Sequence, residues 1–185
     1  MDDETAEERV LEAADRLFYE QGIRTVGMDQ IRDASGVSLK RLYRLFPAKD
    51  ELVEVVLRRR EEAFSGSLAD AAAAAAGPRE AILGFFDDLH EWFTEPDYGG
   101  CPFINAFAEM RSTSALITDV AVHQKRALER HLDGLVRAAG GPPALTSQLL
   151  ILANGAMATS AMLGSPEAAQ QAKAAAAILL DAAEI

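Results

Sequence analysis

Apolar and polar residues follow one another along this chain with the period of an α-helix, and short breaks containing glycine or proline interrupt the pattern. Over residues 7–21, apolar positions recur every three or four residues, and Gly22 follows as a candidate left-handed C-terminal cap. Two shorter periodic segments, residues 28–34 and 38–46, are separated by a tight glycine break, and Ser38 is placed to cap the second. We therefore predict three helices in the first 46 residues.

The rest of the chain is predicted to form six further helices. All seven prolines fall between the periodic segments or at their starts, where proline is tolerated. Alanine and leucine, the two best apolar helix formers, number 35 and 21, whereas valine and isoleucine number only 9 and 8. Pattern and composition together predict an all-α protein of about nine helices and no strand. The six further helices are predicted over residues 49–76, 79–94, 102–111, 114–138, 144–163 and 166–183.

Composition excludes several classes of protein. No stretch approaches the roughly 18 consecutive apolar residues of a membrane span, and the acidic start Met1-Asp2-Asp3-Glu4 is unlike a signal peptide, which is basic and then apolar. Cys101 is the only cysteine, which excludes an intrachain disulfide framework and a cysteine-cluster metal site. We expect a cytoplasmic protein that makes no membrane contact.

The negative charge is spread unevenly along the chain, and this changes what the net charge says about possible partners. A formal charge of -11 argues at first against nucleic acid as a partner, because like charges repel. Residues 1–60 carry only -2 of this charge, however, and residues 61–185 carry -9. Within residues 24–49 six lysines and arginines face two aspartates, a local charge of +4. This segment has the electrostatic character that contacts with phosphate require.

The basic segment has a helical geometry that suits DNA. In residues 38–46 the apolar side chains Leu39, Leu42, Leu45 and Phe46 are predicted to point one way, which leaves Lys40, Arg41, Tyr43 and Arg44 on the exposed arc. A recognition helix places such residues in the major groove, where arginine can bind guanine through two hydrogen bonds. Tyr43 and Lys49 are better suited to phosphate. The alternative is a solvated helix face that is basic by chance.

Three phrases follow one another in residues 8–53. They are Leu17-Phe18-Tyr19-Glu20-Gln21-Gly22 with Thr25 following, Ile31-x-x-Ala34-Ser35-Gly36-Val37-Ser38, and Leu42-Tyr43-x-x-Phe46-Pro47-x-Lys49-x-x-Leu52. Through these phrases residues 8–53 resemble the DNA-binding domain of the TetR/AcrR family of transcriptional regulators. The sequence departs from the usual family pattern at Met28, Arg32 and Ser35. A weaker likeness further along the chain is the phrase Gly100-Cys101-Pro102-Phe103-Ile104-Asn105-Ala106.

The resemblance implies two domains with different functions. Residues 1–48 would form a three-helix, helix-turn-helix DNA-binding domain, and residues 49–185 a helical domain for effector binding and dimerisation. It further implies a homodimer that binds a palindromic operator on double-stranded DNA, is associated with the nucleoid, and acts as a repressor released by a small hydrophobic effector. The expected DNA-contacting residues are Thr25, Ser38, Lys40, Arg41, Tyr43, Arg44 and Lys49.

The last two predicted helices are candidates for the dimer interface. Residues 144–163 and 166–183 are rich in alanine and glycine, which allow helices to approach closely in a two-fold four-helix bundle. The alternative is that these alanine-rich helices pack only within the chain.

The middle helices carry the candidate effector-binding residues. Apolar walls with a few polar groups are typical of small-molecule sites, whereas a plain aromatic core is the alternative for each residue taken alone. The candidates are Phe86, Trp92, Phe103, Asn105, Phe107 and Met157.

Enzyme and metal chemistry receive little support from the sequence. Cys101 with His90 could supply a thiol nucleophile and a base, but a buried structural thiol is favoured and a redox role is a minor alternative. His123 and His131, eight residues apart, could bind metal with Glu109 or Asp119, although solvated or core histidines are commoner. We therefore predict no catalytic residue, metal or cofactor. Two classes compete with a DNA-binding regulator. One is a helical small-molecule-binding or adaptor protein, and the other is a cysteine enzyme.

Overall fold

The structure of the chain, a computed structural model, describes residues 2–185 and contains nine α-helices and no strand over that range. This confirms the predicted all-α fold and every predicted helix, with ends that shift by a few residues. The helices are α1 (Asp3–Gln21), α2 (Met28–Ser35), α3 (Leu39–Leu45), α4 (Lys49–Ala74), α5 (Pro78–Phe93), α6 (Pro102–Met110), α7 (Ala115–Ala138), α8 (Pro143–Leu163) and α9 (Glu167–Ala182).

The helix ends differ from the prediction where caps decide them. Helix α1 begins at Asp3 rather than Glu7, because Asp2 Oδ1 accepts a hydrogen bond of 2.8 Å from the Thr5 amide. Gly22 follows α1 with a positive φ of 86°, but its ψ of 147° lies outside the left-handed helical region that we expected. Ser38 occupies the N-cap position of α3, but its hydroxyl makes no capping hydrogen bond, contrary to the prediction.

The helices group into two compact units, and α4 and α7 contribute to both. The first unit comprises the described part of Met1–Glu62 together with Pro102–Gln124, and the second comprises Ala63–Cys101 with Lys125–Ile185. The first unit is larger than the predicted residues 1–48, because the start of α4, helix α6 and the start of α7 pack with the first three helices. The functional boundary at residue 48 stays a prediction.

In the first unit, α1, α2 and α3 pack against one another around a small apolar core. Val10 and Ala14 of α1, Ile31 of α2, Leu42 of α3 and Leu52 of α4 are fully buried in it. Their spacing is the helical period read in the sequence, so one face of each short helix enters the core. The opposite face of α3 is left outside.

In the second unit, α9 packs against both α5 and α8. Phe86 and Ile82 of α5, Leu149 of α8 and Leu180 of α9 are fully buried. Ion pairs join α5 to α9: Asp87 bonds to the Lys173 ammonium at 2.5 Å, and Arg79 Nη2 lies 2.6 Å from Asp181 Oδ1. Arg79 also donates to the backbone carbonyl of Ile185, which ties the end of the chain to the start of α5.

Candidate nucleic-acid interface

The turn between α2 and α3 is built around Gly36. Its φ of 68° and ψ of 16° place it in the left-handed region, and a Cβ there would lie 2.9 Å from Nη2 of Arg9. The buried Ser35 hydroxyl accepts a hydrogen bond from the Val37 amide and donates one to the Arg32 carbonyl, both at 3.3 Å. Ser35, one of the departures from the family pattern, therefore supplies polar partners inside the turn, where each buried polar group requires one.

Helix α3 presents a polar face to solvent. Lys40, Tyr43 and Arg44 are exposed, and 46% of the Tyr43 surface is accessible, whereas Leu42 and Phe46 are buried. The Ser38 hydroxyl, which does not cap the helix, is exposed immediately before α3. Four of the predicted DNA-contacting residues, on α3 or directly before it, are therefore exposed, and we call this surface the α3 face; Arg41, which was predicted to be exposed with them, is half-buried.

The two arginines of α3 share a partner that the sequence did not reveal. Oδ1 of Asp3, in the first turn of α1, accepts hydrogen bonds from Arg41 Nη2 at 2.5 Å and Nε at 2.9 Å, and from Arg44 Nη2 at 2.6 Å. The hydrogen bonding from Arg41 holds the pKa of the Asp3 carboxyl below its usual value, with the charges of Arg44 and Arg41 adding to the effect. Because Asp3 lies 38 residues from Arg41, no spacing in the sequence signals this contact.

A second arginine cluster lies on α2. The Arg32 guanidinium contacts Asp29 Oδ1 at 2.5 Å and Asp33 Oδ1 at 2.8 Å. The hydrogen bond to Asp33 raises the pKa of Arg32, and the same contact lowers the pKa of Asp33. The pair of Asp29 and Arg32 could have been anticipated, because residues three apart on a helix are neighbours, whereas adjacent residues such as Arg32 and Asp33 do not face each other by spacing alone. Three of the six basic residues that gave residues 24–49 a charge of +4 are thus paired with carboxylates.

The two remaining predicted DNA contacts lie on loops or helix starts in the first unit. Thr25 is exposed in the loop between α1 and α2. Lys49 opens α4, is half-buried, and its Nζ lies 5.9 Å from the ring centroid of Phe18. Burial lowers the pKa of Lys49, although the nearby charges of Asp50 and Glu109 oppose this shift. Lys49 therefore lies partly against the ring of Phe18, and the rest of its surface is open to solvent.

The predicted effector residues are distributed over both units. In the second unit Phe86 is fully buried, and the half-buried Trp92 packs edge-on against Tyr98 with ring centroids 5.0 Å apart. The Tyr98 hydroxyl donates to the backbone carbonyl of the buried Met157 at 2.8 Å, so Tyr98 links Trp92 to Met157. Tyr98 was not among the candidates.

In the first unit the three candidates on α6 have different environments. Phe103 is buried, Asn105 is half-buried, and Phe107 has 41% of its surface exposed. Consecutive turns of one short helix therefore point these side chains in different directions, and Asn105 alone of the six candidates lines a cavity described below.

Two of the cysteine and histidine candidates, Cys101 and His123, each lie near one charged side chain. Cys101 is buried, and its Sγ lies 3.4 Å from the Lys125 ammonium. His123 Nε2 lies 3.6 Å from Glu61 Oε1. Among residues 2–185, no group of three or more potential metal ligands is close enough together to hold an ion.

Comparisons with known proteins place this geometry in a family. The profile of the bacterial regulatory proteins of the tetR family matches residues 10–56. The HTH-type transcriptional regulator LmrA of Bacillus subtilis is 34% identical over 97 residues, which are 51% of this chain and 52% of LmrA. An uncharacterised HTH-type transcriptional regulator of Mycobacterium tuberculosis is 31% identical over 80 residues, 43% of this chain and 40% of that protein. The chain thus spans about half the length, or less, of these curated relatives.

Solved structures extend the likeness over the whole chain. A chain from Streptomyces avermitilis that is assigned to the TetR transcriptional regulators is 30% identical, with a TM-score of 0.85 over 97% of this chain and 98% of that one. This chain belongs to the TetR family. A TetR-family regulator from Streptomyces coelicolor shares the fold with a TM-score of 0.92 at 24% identity, covering 98% of this chain and 97% of the other.

Family membership confirms the predicted resemblance to TetR regulators and the predicted class of function, a transcriptional regulator. The TetR relatives are named as transcriptional regulators, which supports a regulator over a cysteine enzyme or an adaptor, and the profile match contains both α2 and α3. The matched residues therefore contain α2, the Gly36 turn and α3, which together have the arrangement of a helix-turn-helix. Within residues 2–185, no helix is both long enough and apolar enough to span a lipid bilayer.

Proposed function

We propose that this TetR-family chain binds an operator on double-stranded DNA through the α3 face. The observation that supports this most strongly is the α3 face itself, where Lys40, Tyr43 and Arg44 are exposed on a helix that follows a glycine-dependent turn. Helices of this kind enter the major groove, whose base edges carry a distinct pattern of donors and acceptors.

The side chains of the α3 face, together with Arg41, Thr25 and Lys49, suit different parts of DNA. Arg41 and Arg44 have planar guanidinium groups that can bind guanine through two hydrogen bonds, and Lys40 adds a flexible cation. Ser38, Tyr43 and Thr25 are exposed and carry hydroxyls that can bind phosphate oxygens. Lys49 completes the set as a phosphate contact at the start of α4. Residues 1–48 would thus form the DNA-binding domain.

The proposed active form is a homodimer through α8 and α9, the predicted segments 144–163 and 166–183. On α8 the residues Ile151, Gly155, Ala158 and Met162 recur at helical spacing and are all exposed. On α9 Ile178 has 68% of its surface exposed. An uncharged surface with large apolar side chains in water is typical of a protein–protein contact, and a two-fold dimer would present two α3 helices to a palindrome.

The remaining parts of the proposal concern regulation. Residues 49–185 would dimerise and bind a small hydrophobic effector that releases the chain from its operator, so that the chain acts as a repressor. Such release requires the effector to bind the free form more tightly than the DNA-bound form. Because the proposed target is chromosomal DNA, we expect a cytoplasmic protein associated with the nucleoid.

Selection of binding sites from random duplex DNA tests the proposal. We expect a palindromic consensus with two half-sites about one helical turn apart. Arg41→Ala and Arg44→Ala should each weaken binding to the consensus by roughly 1–3 kcal/mol, whereas Lys49→Ala should weaken binding to all sequences alike. Arg137→Ala, which removes an exposed arginine paired with Asp133 in the second unit, is the matched control. Unchanged binding in the three test variants would contradict the proposal.

A further inference from the structure

A cavity of about 170 Å³ lies inside the first unit, between α1, α4 and α6. An engineered apolar cavity of about 150 Å³ in another protein holds one benzene molecule, so this space accommodates a single aromatic ring. The cavity, which we call the α1–α4–α6 cavity, differs from the predicted effector site and shares only Asn105 with it. Its walls are buried and apolar, and are formed by Phe18, Ile23, Val53, Val56, Leu57 and Ala106.

The rim of the α1–α4–α6 cavity is polar and partly exposed. Arg60 forms a short hydrogen bond to Asp15, and its guanidinium carbon lies 4.5 Å from the ring centroid of Tyr19. Glu109 contributes a second carboxylate, which accepts a hydrogen bond of 2.9 Å from the Arg24 amide. The rim therefore holds two carboxylates and one guanidinium, and that guanidinium is already paired.

We propose that the α1–α4–α6 cavity binds a small molecule made of one aromatic ring and a protonated amine. The ring would fill the apolar interior against Phe18, where aromatic pairs add to simple burial. The ammonium would lie at the rim and donate to Glu109, whose charge is the more available because Asp15 already binds Arg60. A carboxylate at the same place would face Glu109 and compete with Asp15 for Arg60.

The position of the cavity connects it to the α3 face. Helix α1 forms one wall with Phe18, and its first turn carries Asp3, the partner of Arg41 and Arg44. Glu109 on the opposite wall holds the loop that follows α1 through the Arg24 amide. A ring bound in this space would contact α1 directly and restrict its movement, and through Asp3 it would change the affinity for DNA. This last step rests on the proposed function, whereas ligand binding itself does not.

Three probes of similar size and different charge test the ligand class without DNA. Benzylamine is cationic, benzyl alcohol is neutral and benzoate is anionic at pH 7. Titration of the intact chain, followed by nuclear magnetic resonance chemical shifts, should show saturable binding that is tightest for benzylamine, weaker for benzyl alcohol and absent for benzoate. No saturable binding of benzylamine, or binding of benzoate as tight as that of benzylamine, would overturn the proposal.

Two variants locate the binding. Ala106→Leu fills the cavity from α6 and should abolish benzylamine binding, whereas Ala108→Leu adds the same side chain on the exposed side of α6 and should leave it unchanged. Should Ala106→Leu fail to fold, as judged by circular dichroism, Ala106→Val provides a smaller filling group. Equal binding by the filling variant and the Ala108→Leu control would overturn the proposal.

Glu109→Gln tests the charge at the rim. The glutamine oxygen can still accept from the Arg24 amide, but it carries no negative charge to attract an ammonium. Benzylamine should bind roughly tenfold more weakly, as expected when a hydrogen bond between two charged groups loses one of the charges, while benzyl alcohol binding should be unchanged. An equal loss for both probes would contradict the assigned role of Glu109.

A final measurement separates this inference from the proposed function. Benzylamine is added to the chain bound to its selected DNA, and fluorescence anisotropy reports the affinity for DNA. A change in affinity that disappears in Ala106→Leu supports the coupling. Saturable benzylamine binding with no change in DNA affinity would refute the coupling to α3, whereas failure to select any DNA at all would refute the proposed function and leave the binding result standing.

Discussion

At the scale of single residues, Asp3 has the most unusual position in this TetR-family chain. Its carboxylate accepts hydrogen bonds from both Arg41 and Arg44, the side chains that we propose to bind bases. Asp3 also lies in the first turn of α1, where a negative charge is favourable next to the positive end of the helix. A phosphate or a guanine edge would have to replace Asp3 before either arginine could contact DNA fully.

The expected consequence is that Asp3 weakens DNA binding. In Asp3→Asn the charge that competes with DNA is removed, and the affinity for the operator should rise by roughly two- to fivefold, a small change because exposed ion pairs are screened by water and salt. Glu4→Gln removes the neighbouring exposed charge and should change the affinity less. Anisotropy titrations at several salt concentrations measure the effect. A weaker operator complex in Asp3→Asn would show instead that Asp3 orients the arginines for binding.

At the scale of helices, Gly22 sets the junction between α1 and α6. Its backbone, with φ of 86° and ψ of 147°, lies in a region that residues with side chains rarely adopt. A Cβ at this position would lie 3.2 Å from both carboxylate oxygens of Glu109 on α6. The end of α1 and the α6 side chain thus approach one another at a point where only glycine fits without displacement.

Two glycine substitutions should therefore have opposite effects on stability. Gly22→Ala should lower the free energy of unfolding by about 1–3 kcal/mol, because it combines backbone strain with the contact to Glu109. Gly134→Ala, on the exposed side of α7 with nothing within 4 Å of the added carbon, should raise it by up to about 1 kcal/mol through helix propensity. Urea unfolding followed by circular dichroism gives both values. Similar stability of the two variants would contradict this account of the junction.

At the scale of the whole molecule, the acidic part of the chain also carries most of the large exposed apolar side chains. Residues 61–185 carry -9, yet α8 contains no charged residue, and Met162 and Ile151 on it have 82% and 69% of their surfaces exposed. The small residues of α8 divide between two roles, since Ala153 and Ala156 are buried within the chain whereas Gly155 and Ala158 face outward. Internal packing and an external contact therefore use different residues of the same helix.

The proposed dimer gives a direct test of the outward faces. Ile178→Glu places a charge at the proposed contact between copies and should convert a dimer into a monomer, because an unpaired buried charge is costly. Leu116→Glu, at a half-exposed apolar residue on α7 in the first unit, should leave the dimer intact. Light scattering after size-exclusion chromatography measures the mass of each variant, and the monomer should also lose tight binding to a palindrome. A wild-type chain of monomer mass under DNA-binding conditions would contradict the proposed assembly.

Local interactions explain why so much of the fold could be predicted from the sequence. Helical periodicity, proline positions and the Gly36 turn involve residues close together in the chain, so the nine helices and the polar side of α3 followed from spacing alone. The same holds for the ion pair of Asp29 with Arg32, which lie three residues apart on α2. These features depend on backbone geometry, which is the same in any helix.

Tertiary packing alone decided which distant residues meet. Asp3 reaches Arg41 and Arg44, and Glu109 reaches the Arg24 amide 85 residues away, because the helices that carry them pack in one unit. The cavity between α1, α4 and α6 likewise depends on how three helices fit together. Periodicity gives the buried face of each helix but not the neighbour against which that face packs. The sequence by itself therefore determined the helices and the basic side of α3, and the packing determined the partners of the arginines and the location of the α1–α4–α6 cavity.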